Sequence, residues 1–146
     1  MIRFFDASAL VKRYVREPET PVVRRLLADR RAAVSRLSEA EVSSALARRK
    51  REGDLDAGDH AAALSALRAD LERLDVVELV PEVVARVHEL LARHALRAGD
   101  ALQLAAAIAL RVEPESPAEF VCWDDRLRAA ASAEGFVLLP DASQRQ

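Results

Sequence analysis

The stretch Ile2-Arg3-Phe4-Phe5-Asp6-Ala7-Ser8-Ala9-Leu10 decides the fold. Residues 2–5 form a short, mainly apolar run that is too short for a helix, and Asp6 ends it. Runs of this kind are typical of buried β-strands. We therefore expect a strand over residues 2–5, with the carboxylate of Asp6 at its carboxyl end.

Further short apolar runs follow along the chain, at residues 32–35, 76–79, 120–123 and 136–139. Helical patterns occupy the segments between these runs, at residues 20–29, 38–51, 56–74, 81–94, 100–110 and 125–134. Strands that alternate with helices indicate a parallel sheet covered on both faces. The sequence therefore predicts an α/β fold, in which a short parallel sheet is sandwiched between helices in three layers.

Two of the predicted helices begin with capping signals. Thr20 precedes Pro21, which is the order of an N-cap and a first helical proline. Ser38-Glu39-Ala40-Glu41 has the spacing of a capping box. We expect Thr20 and Ser38 to cap their helices.

Length and composition limit the class of protein. A chain of 146 residues that is 51% hydrophobic suits one domain, residues 1–146, and is not that of a disordered protein. The longest apolar stretch, residues 101–110, is interrupted by Gln103 and reaches about half of the roughly 20 residues that a bilayer requires. The one cysteine, Cys122, cannot form an internal disulfide, which favours the reducing cytoplasm.

Charge is distributed unevenly along the chain. Residues 1–51 carry 13 basic and 6 acidic side chains, whereas residues 52–146 carry 9 basic and 18 acidic ones. A basic segment favours a polyanionic partner such as a nucleic acid. The alternative is a bias in composition, because 20 of the 22 basic residues are Arg and the chain contains 29 Ala.

Four acids are candidates for a functional site, because ligands of open α/β sheets bind beyond the carboxyl ends of the strands. Asp6 and Asp124 each directly follow a predicted strand, and Glu41 lies in the first turn of the helix after the second strand. Asp100 opens a helix that follows another helix, so topology alone does not place it. Carboxylates without His or Cys suit Mg²⁺ or Mn²⁺, which can polarise a phosphodiester and activate a water.

Each acid also has an ordinary structural explanation. Glu41 fits the capping box, Asp100 is a good N-cap, and Asp124 could complement a helix dipole. Asp6 is the hardest to explain in this way, because no basic residue follows it until Lys12. An unpaired acid at the end of a buried strand costs free energy unless something binds it.

Four blocks of this sequence resemble, in order, the motif blocks of PIN domains, and the best match is to the VapC-type toxins of bacterial toxin–antitoxin pairs. The blocks are Phe4-Phe5-Asp6-Ala7-Ser8-Ala9-Leu10, Ser38-Glu39-Ala40-Glu41-Val42, Leu96-Arg97-Ala98-Gly99-Asp100-Ala101-Leu102-Gln103-Leu104-Ala105 and Phe120-Val121-Cys122-Trp123-Asp124-Asp125-Arg126-Leu127. The resemblance runs from residue 2 to about residue 139.

This resemblance implies a single PIN-like domain over residues 1–146 that acts as a Mg²⁺- or Mn²⁺-dependent endoribonuclease, with RNA as substrate. It also implies an antitoxin partner that blocks the site, and assembly as a homodimer and with the antitoxin. Carried over by position, Asp6, Glu41, Asp100 and Asp124 would be the catalytic and metal-binding acids. Ser8 would be a polar contact to the substrate.

The last block departs from the family pattern at two positions. Cys122 stands where members often have Thr or Ser, and we interpret it as a small buried hydrophobe rather than a nucleophile. Asp124 and Asp125 are consecutive acids. We assign the site to Asp124, because it ends the strand and fits the pattern Val-x-x-Asp-x-Arg-Leu, and we treat Asp125 as a first-turn helix acid.

Basic and aromatic residues provide weaker candidates. Arg48 lies about 10.5 Å along the helix from Glu41 on the same face, so it could bind an RNA phosphate, although a solvated helix end is the alternative. The three histidines have no shared ligand spacing; they are His60, His88 and His94.

The blocking segment of the antitoxin should present an Arg or Lys to the four acids. We expect its apolar part to lie in a groove around Leu10, Val11, Tyr14, Val23 and Leu26. Ordinary core packing of these residues is the alternative.

A phosphatase and an inactive binding module are the two alternatives to a nuclease. A phosphatase of the haloacid-dehalogenase type also ends its first strand in an acid, but it needs a second acid two positions later, where this chain has Ser8. A catalytically inactive PIN-like binding module would be expected to have lost one or more of the four acids.

Overall fold

The computed structural model describes residues 1–111, 113 and 116–144. Its strands are β1 (Ile2–Phe5), β2 (Ala32–Ser35), β3 (Asp75–Val77), β4 (Ala118–Val121) and β5 (Val137–Leu139). Its helices are α1 (Ala7–Leu10), α2 (Thr20–Ala28), α3 (Leu37–Arg51), α4 (Ala57–Arg73), α5 (Pro81–Val84), α6 (Val87–Arg93), α7 (Ala98–Leu110) and α8 (Asp125–Ala133). A short 3₁₀ turn, Val11–Arg13, follows α1.

The five strands form one parallel sheet in the order β3-β2-β1-β4-β5. Because successive side chains of a strand point to opposite faces, Phe4 and Phe5 of the central strand enter two different hydrophobic cores. The Phe4 ring stacks on Phe120 of β4, with 5.3 Å between ring centroids. Helices cover both faces, so the predicted α/β sandwich with a parallel sheet is confirmed.

Most predicted elements match within one or two residues at each end, and three differences concern the path of the chain. The strand predicted at 76–79 is β3, and the strand predicted at 120–123 is β4, which ends at Val121. Cys122 still donates its backbone N–H to the Leu139 carbonyl at 3.1 Å, but the chain then leaves the sheet to begin α8. The helix predicted at 81–94 is two helices, α5 and α6, separated by a turn in which Arg86 N–H bonds to the Val83 carbonyl.

Both predicted caps are wrong, for reasons of tertiary contact. Thr20 is the first residue of α2, and its hydroxyl donates to the Lys12 carbonyl at 2.7 Å, which ties down the preceding loop. Ser38 is the second residue of α3, and its buried hydroxyl accepts a hydrogen bond from Gln103 at 3.0 Å. Each hydroxyl therefore serves a distant segment instead of its own helix end.

The buried guanidinium of Arg128 fastens the carboxyl ends of β4 and β5 together. Its Nη1 donates to the Cys122 carbonyl at 2.8 Å and to the Leu139 carbonyl at 3.2 Å, and its Nη2 donates to the Pro140 carbonyl at 2.8 Å. This contact holds the segment that leads into α8.

None of the helices among the described residues is both long enough and apolar enough to cross a membrane.

The Arg128 contact makes a prediction about stability. Arg128→Met should lower the free energy of unfolding by about 2–3 kcal/mol in chemical denaturation, because buried carbonyls lose their donors. Arg126→Met, an exposed neighbour, is the matched control and should change it by about 0.5 kcal/mol or less. Equal losses for the two variants would contradict the assignment of Arg128 as a structural clamp.

Candidate active site

Asp6 lies directly after β1 and is only 3% exposed. Its Oδ1 accepts a hydrogen bond from the Ala9 N–H, which makes Asp6 the N-cap of α1, and its Oδ2 accepts one from the Ser8 hydroxyl, both at 2.8 Å. The start of α1 thus supplies both hydrogen bonds to the carboxylate, and these offset part of the cost of burying it. Among the described residues no basic side chain pairs with Asp6.

Asp124 is the N-cap of α8, and its Oδ1 accepts a hydrogen bond from the Leu127 N–H at 2.9 Å. The carboxylate is at the surface, one residue beyond Trp123. Asp125 is the first residue of the helix, as predicted. A cap fixes one carboxylate oxygen of Asp124 and leaves the other available to a ligand.

Glu41 and Asp100 come from two neighbouring helices. Glu41 lies in the second turn of α3, and its Oε1 accepts a hydrogen bond from Gln103 Nε2 at 3.3 Å. Asp100 is the third residue of α7, whose N-cap position is Arg97, so Asp100 is not the N-cap that it resembled in the sequence. A Cβ at Gly99 would lie 3.6 Å from Glu41 Oε1, which shows how closely the two helices approach.

The four acids influence one another electrostatically. Burial, together with the smaller effect of the charges of Asp100 and Glu41, raises the pKa of Asp6 to about 7, although the hydrogen bonds from Ala9 and Ser8 oppose this increase. The pKa of Glu41 is raised by burial and by Asp100, although the Gln103 hydrogen bond opposes this. The pKa of Asp100 is raised by burial and by the charge of Asp124. Asp6, Glu41 and Asp100 thus lie close enough to repel one another, and Asp124 joins them through its repulsion of Asp100; we call these four residues the acid cluster.

The donor chemistry of this cluster fits Mg²⁺ or Mn²⁺, since every donor is a carboxylate oxygen. Among the described residues, no three His, Cys, Asp or Glu side chains stand close enough together to hold an ion unaided. Mg²⁺ is commonly bound by one or two carboxylates, several waters and substrate phosphates, so such a cage is not required. A divalent cation would relieve the repulsion that raises these pKa values.

Cys122 directly follows β4, is fully buried, and lies within electrostatic range of Asp6, Asp100 and Asp124. Burial raises the pKa of its thiol well above the ordinary value, and the negative charge of Asp6 raises it further. A neutral, buried thiol agrees with the interpretation of Cys122 as a small hydrophobe.

Basic and polar residues around the cluster are arranged differently from the prediction. Arg48 is exposed in the last turn of α3, and among the described residues none of the four acids pairs with it. Lys12 was missed by sequence reasoning: its Nζ lies 5.2 Å from the centre of the Trp123 ring and 2.7 Å from Glu17 Oε2. Gln103 was also missed as a site residue, although it is the only polar interruption in the apolar run 101–110.

One histidine, His94, pairs with an acid outside the four candidate site acids. His94 Nε2 is 2.7 Å from Glu134 Oε2, in a contact that joins the end of α6 to the end of α8. This is a structural role, as the spacing of the histidines predicts.

The predicted apolar groove is wrong for three of its five residues. Leu10, Val23 and Leu26 are buried in or against the core, whereas Val11 and Tyr14 are partly exposed. The Tyr14 hydroxyl donates a hydrogen bond to Asp70 Oδ2 of α4 at 2.7 Å.

An open cleft of about 590 Å³ lies beside this region, at the amino ends of β2 and β3. Its apolar walls include Leu27 and Leu74. Its lining also includes five arginines, which are Arg13, Arg24, Arg30, Arg31 and Arg73. Three of them pair with the two acids that also line the cleft: Arg13 and Arg73 pair with Asp70, and Arg31 pairs with Asp75. Five arginines against two acids leave the lining with a net positive charge.

Comparison with known proteins identifies the family. Residues 3–133 match the PIN domain. Ribonuclease VapC46 of Mycobacterium tuberculosis is 36% identical over 137 residues, which cover 93% of this chain and 95% of that protein. Ribonuclease VapC45 of the same species is 35% identical over 139 residues, covering 94% of each chain.

Solved structures share the fold at low identity. VapC20 of Mycobacterium tuberculosis, described as a sarcin-ricin loop cleaving toxin, superposes with a TM-score of 0.66 at 20% identity, over 92% of this chain and 96% of that one. A toxin–antitoxin complex from Klebsiella pneumoniae gives a TM-score of 0.66 at 17% identity, over 92% and 95% of the chains.

The chain therefore belongs to the PIN domain family. Its similarity to VapC ribonucleases over nearly its whole length places it with the VapC-type members. The resemblance of the four sequence blocks is confirmed.

The buried carboxylate of Asp6 predicts a pH dependence of stability in the metal-free protein. Its pKa is raised from 3.8 to about 7 on folding, so between these values the native state binds more protons than the unfolded state. The free energy of unfolding, measured in EDTA, should therefore fall as pH rises from 5 to 7.5, by up to about 1.4 kcal/mol per pH unit.

Asp6→Asn is the matched variant, since Asn can still accept the Ala9 N–H but does not titrate. Its stability should depend less steeply on pH over the same range. Identical slopes for wild type and Asp6→Asn would show that Asp6 is ordinarily ionised.

Proposed function

We propose that this protein is a metal-dependent endoribonuclease and the toxin of a type II toxin–antitoxin pair, a single domain over residues 1–146 that acts in the cytoplasm. Similarity to VapC ribonucleases supports the activity. The observation that carries the proposal is the acid cluster, in which the buried Asp6 has no basic partner among the described residues. The free thiol of Cys122 suits a reducing compartment.

The residues that would hold Mg²⁺ or Mn²⁺ are Asp6, Glu41, Asp100 and Asp124. When bound, the ion polarises the scissile phosphate and lowers the pKa of an attacking water. The protein fixes the orientation of these ligands: the Ala9 N–H holds Asp6 and the Leu127 N–H holds Asp124.

Ser8 and Arg48 are proposed substrate contacts. The Ser8 hydroxyl donates its hydrogen to Asp6. Toward RNA it can therefore only accept a hydrogen bond, for example from a 2′-hydroxyl. The exposed guanidinium of Arg48 can bind a backbone phosphate.

The alternatives explain the site less well. A haloacid-dehalogenase-type phosphatase would need an acid at Ser8, which instead donates a hydrogen bond to the would-be nucleophile Asp6. An inactive binding module has no use for four acids kept together at a cost in repulsion. RNA cleavage that requires Mn²⁺ and stops in EDTA would distinguish the nuclease from both.

The two consecutive acids of the last block provide a direct test of the site. Asp124→Asn should lower the rate of RNA cleavage by about 100-fold or more, because a metal ligand is lost, while Asn still caps α8. Asp125→Asn is the matched control and should change the rate less than about twofold. A larger loss from Asp125→Asn would show that the site is built on Asp125.

An antitoxin is the proposed partner, and the structure suggests two kinds of contact. A basic side chain of the antitoxin would pair with the four acids in competition with the metal. A second segment, with apolar and acidic side chains, would fit the arginine-lined cleft, whose walls include Leu27 and Leu74. The same surface of α2 and α4 replaces the groove predicted from the sequence.

The cleft can be tested with the antitoxin that this proposal requires as a partner. Arg24→Glu should weaken the binding of that protein at least about tenfold in calorimetry, through repulsion of its acidic segment. Arg51→Glu makes the same charge change at the exposed end of α3 and should have little effect. Equal effects of the two variants would rule out a specific role for the cleft.

A homodimer is also part of the proposal. Val84 of α5 and Leu91 of α6 are 42% exposed, and Val80, just before α5, is 44% exposed, so this part of the chain presents several apolar side chains to solvent. Such a surface suits a second copy of the chain.

A further inference from the structure

Gln103 is a buried amide directly behind the acid cluster. It lies on α7 three residues after Asp100, and it is only 2% exposed. Its neighbours Ala101, Leu104 and Ala105 are all fully buried apolar residues. A polar side chain in such surroundings costs free energy unless its hydrogen bonds are made, so its presence requires an explanation.

The amide of Gln103 connects two helices that each carry a site acid. Its Nε2 donates to the buried Ser38 hydroxyl at 3.0 Å and to Glu41 Oε1 at 3.3 Å, and both acceptors belong to α3. An amide nitrogen has two hydrogens, one for each acceptor. Among the described residues, this is the hydrogen bond that restrains the Glu41 carboxylate.

Glu41 needs such a restraint for two reasons. It is at the surface, and its side chain is long and flexible, so solvent competes for it. The negative charge of Asp100 also repels it, since the start of α7 lies against Glu41 at Gly99. Without the amide, the carboxylate would turn away from the other acids.

We propose that Gln103 is a positioning residue, which holds the Glu41 carboxylate beside Asp100 and so sets the affinity of the acid cluster for a divalent cation. This inference rests on the proposed function, because it assigns a role in the same metal site. The competing explanation is that Gln103 only tethers α7 to α3 through Ser38.

The experiment measures Mn²⁺ affinity by calorimetry in the absence of RNA, with the melting temperature as a check on folding. Gln103→Leu should weaken Mn²⁺ binding about tenfold, the usual scale for a residue that orients a metal ligand. Leu104→Met, a buried apolar neighbour on α7, is the control for core packing and should bind Mn²⁺ like the wild type. If Gln103→Leu fails to fold, the unbranched Gln103→Met replaces it.

A double-mutant cycle shows whether Gln103 acts through Glu41. In a Glu41→Ala background, Gln103→Leu should weaken Mn²⁺ binding no further, because its acceptor is gone. An equal loss in both backgrounds would overturn the proposal. Ser38→Ala removes the tether alone and should leave affinity within about twofold of wild type; a loss as large as that of Gln103→Leu would also overturn it.

The experiments distinguish an error in the proposed function from an error in the role of Gln103. If the wild-type protein neither binds Mn²⁺ nor cleaves RNA, the proposed function is wrong and the role of Gln103 falls with it. If the wild type does both and Gln103→Leu binds Mn²⁺ equally well, only the role of Gln103 is wrong.

Discussion

The carboxylates at the carboxyl edge of the sheet repel one another, and the arrangement of the candidate site depends on how this repulsion is offset. Parallel strands bring Asp6 and Asp124 to the same edge, and two helices add Glu41 and Asp100. Each of Asp6 and Asp124 accepts a backbone N–H at a helix N-terminus, where the helix dipole favours negative charge. These two N-caps therefore offset part of the free-energy cost of crowding four carboxylates together.

The remaining architecture keeps this edge rigid. Phe4 and Phe5 anchor the central strand in two cores, so the position of the following acid is fixed from both faces. On the other side of the edge, Arg128 binds three main-chain carbonyls and fixes the start of α8. The arginine-lined cleft lies at the amino ends of β2 and β3, at the opposite edge of the sheet from the four acids.

The sequence predicted an element correctly where neighbouring residues along the chain determine it. The apolar run 2–5, ended by Asp6, predicted a buried strand with a carboxylate at its end, and the four motif blocks predicted the family. Sequence failed where the cause is tertiary. Ser38 has the capping-box pattern, but its hydroxyl accepts a hydrogen bond from Gln103, 65 residues away, instead of capping α3. The periodicity of residues 81–94 likewise did not reveal the break between α5 and α6.

The most direct test is the number of protons released when Mn²⁺ binds, measured by calorimetry at pH 7 in buffers of different ionisation enthalpy. With a pKa of about 7 in the free protein, Asp6 is about half protonated at that pH, and a metal ligand must be deprotonated. The account predicts a release of roughly half a proton per site. Binding without proton release, or no binding of Mn²⁺ to the folded protein, would contradict it.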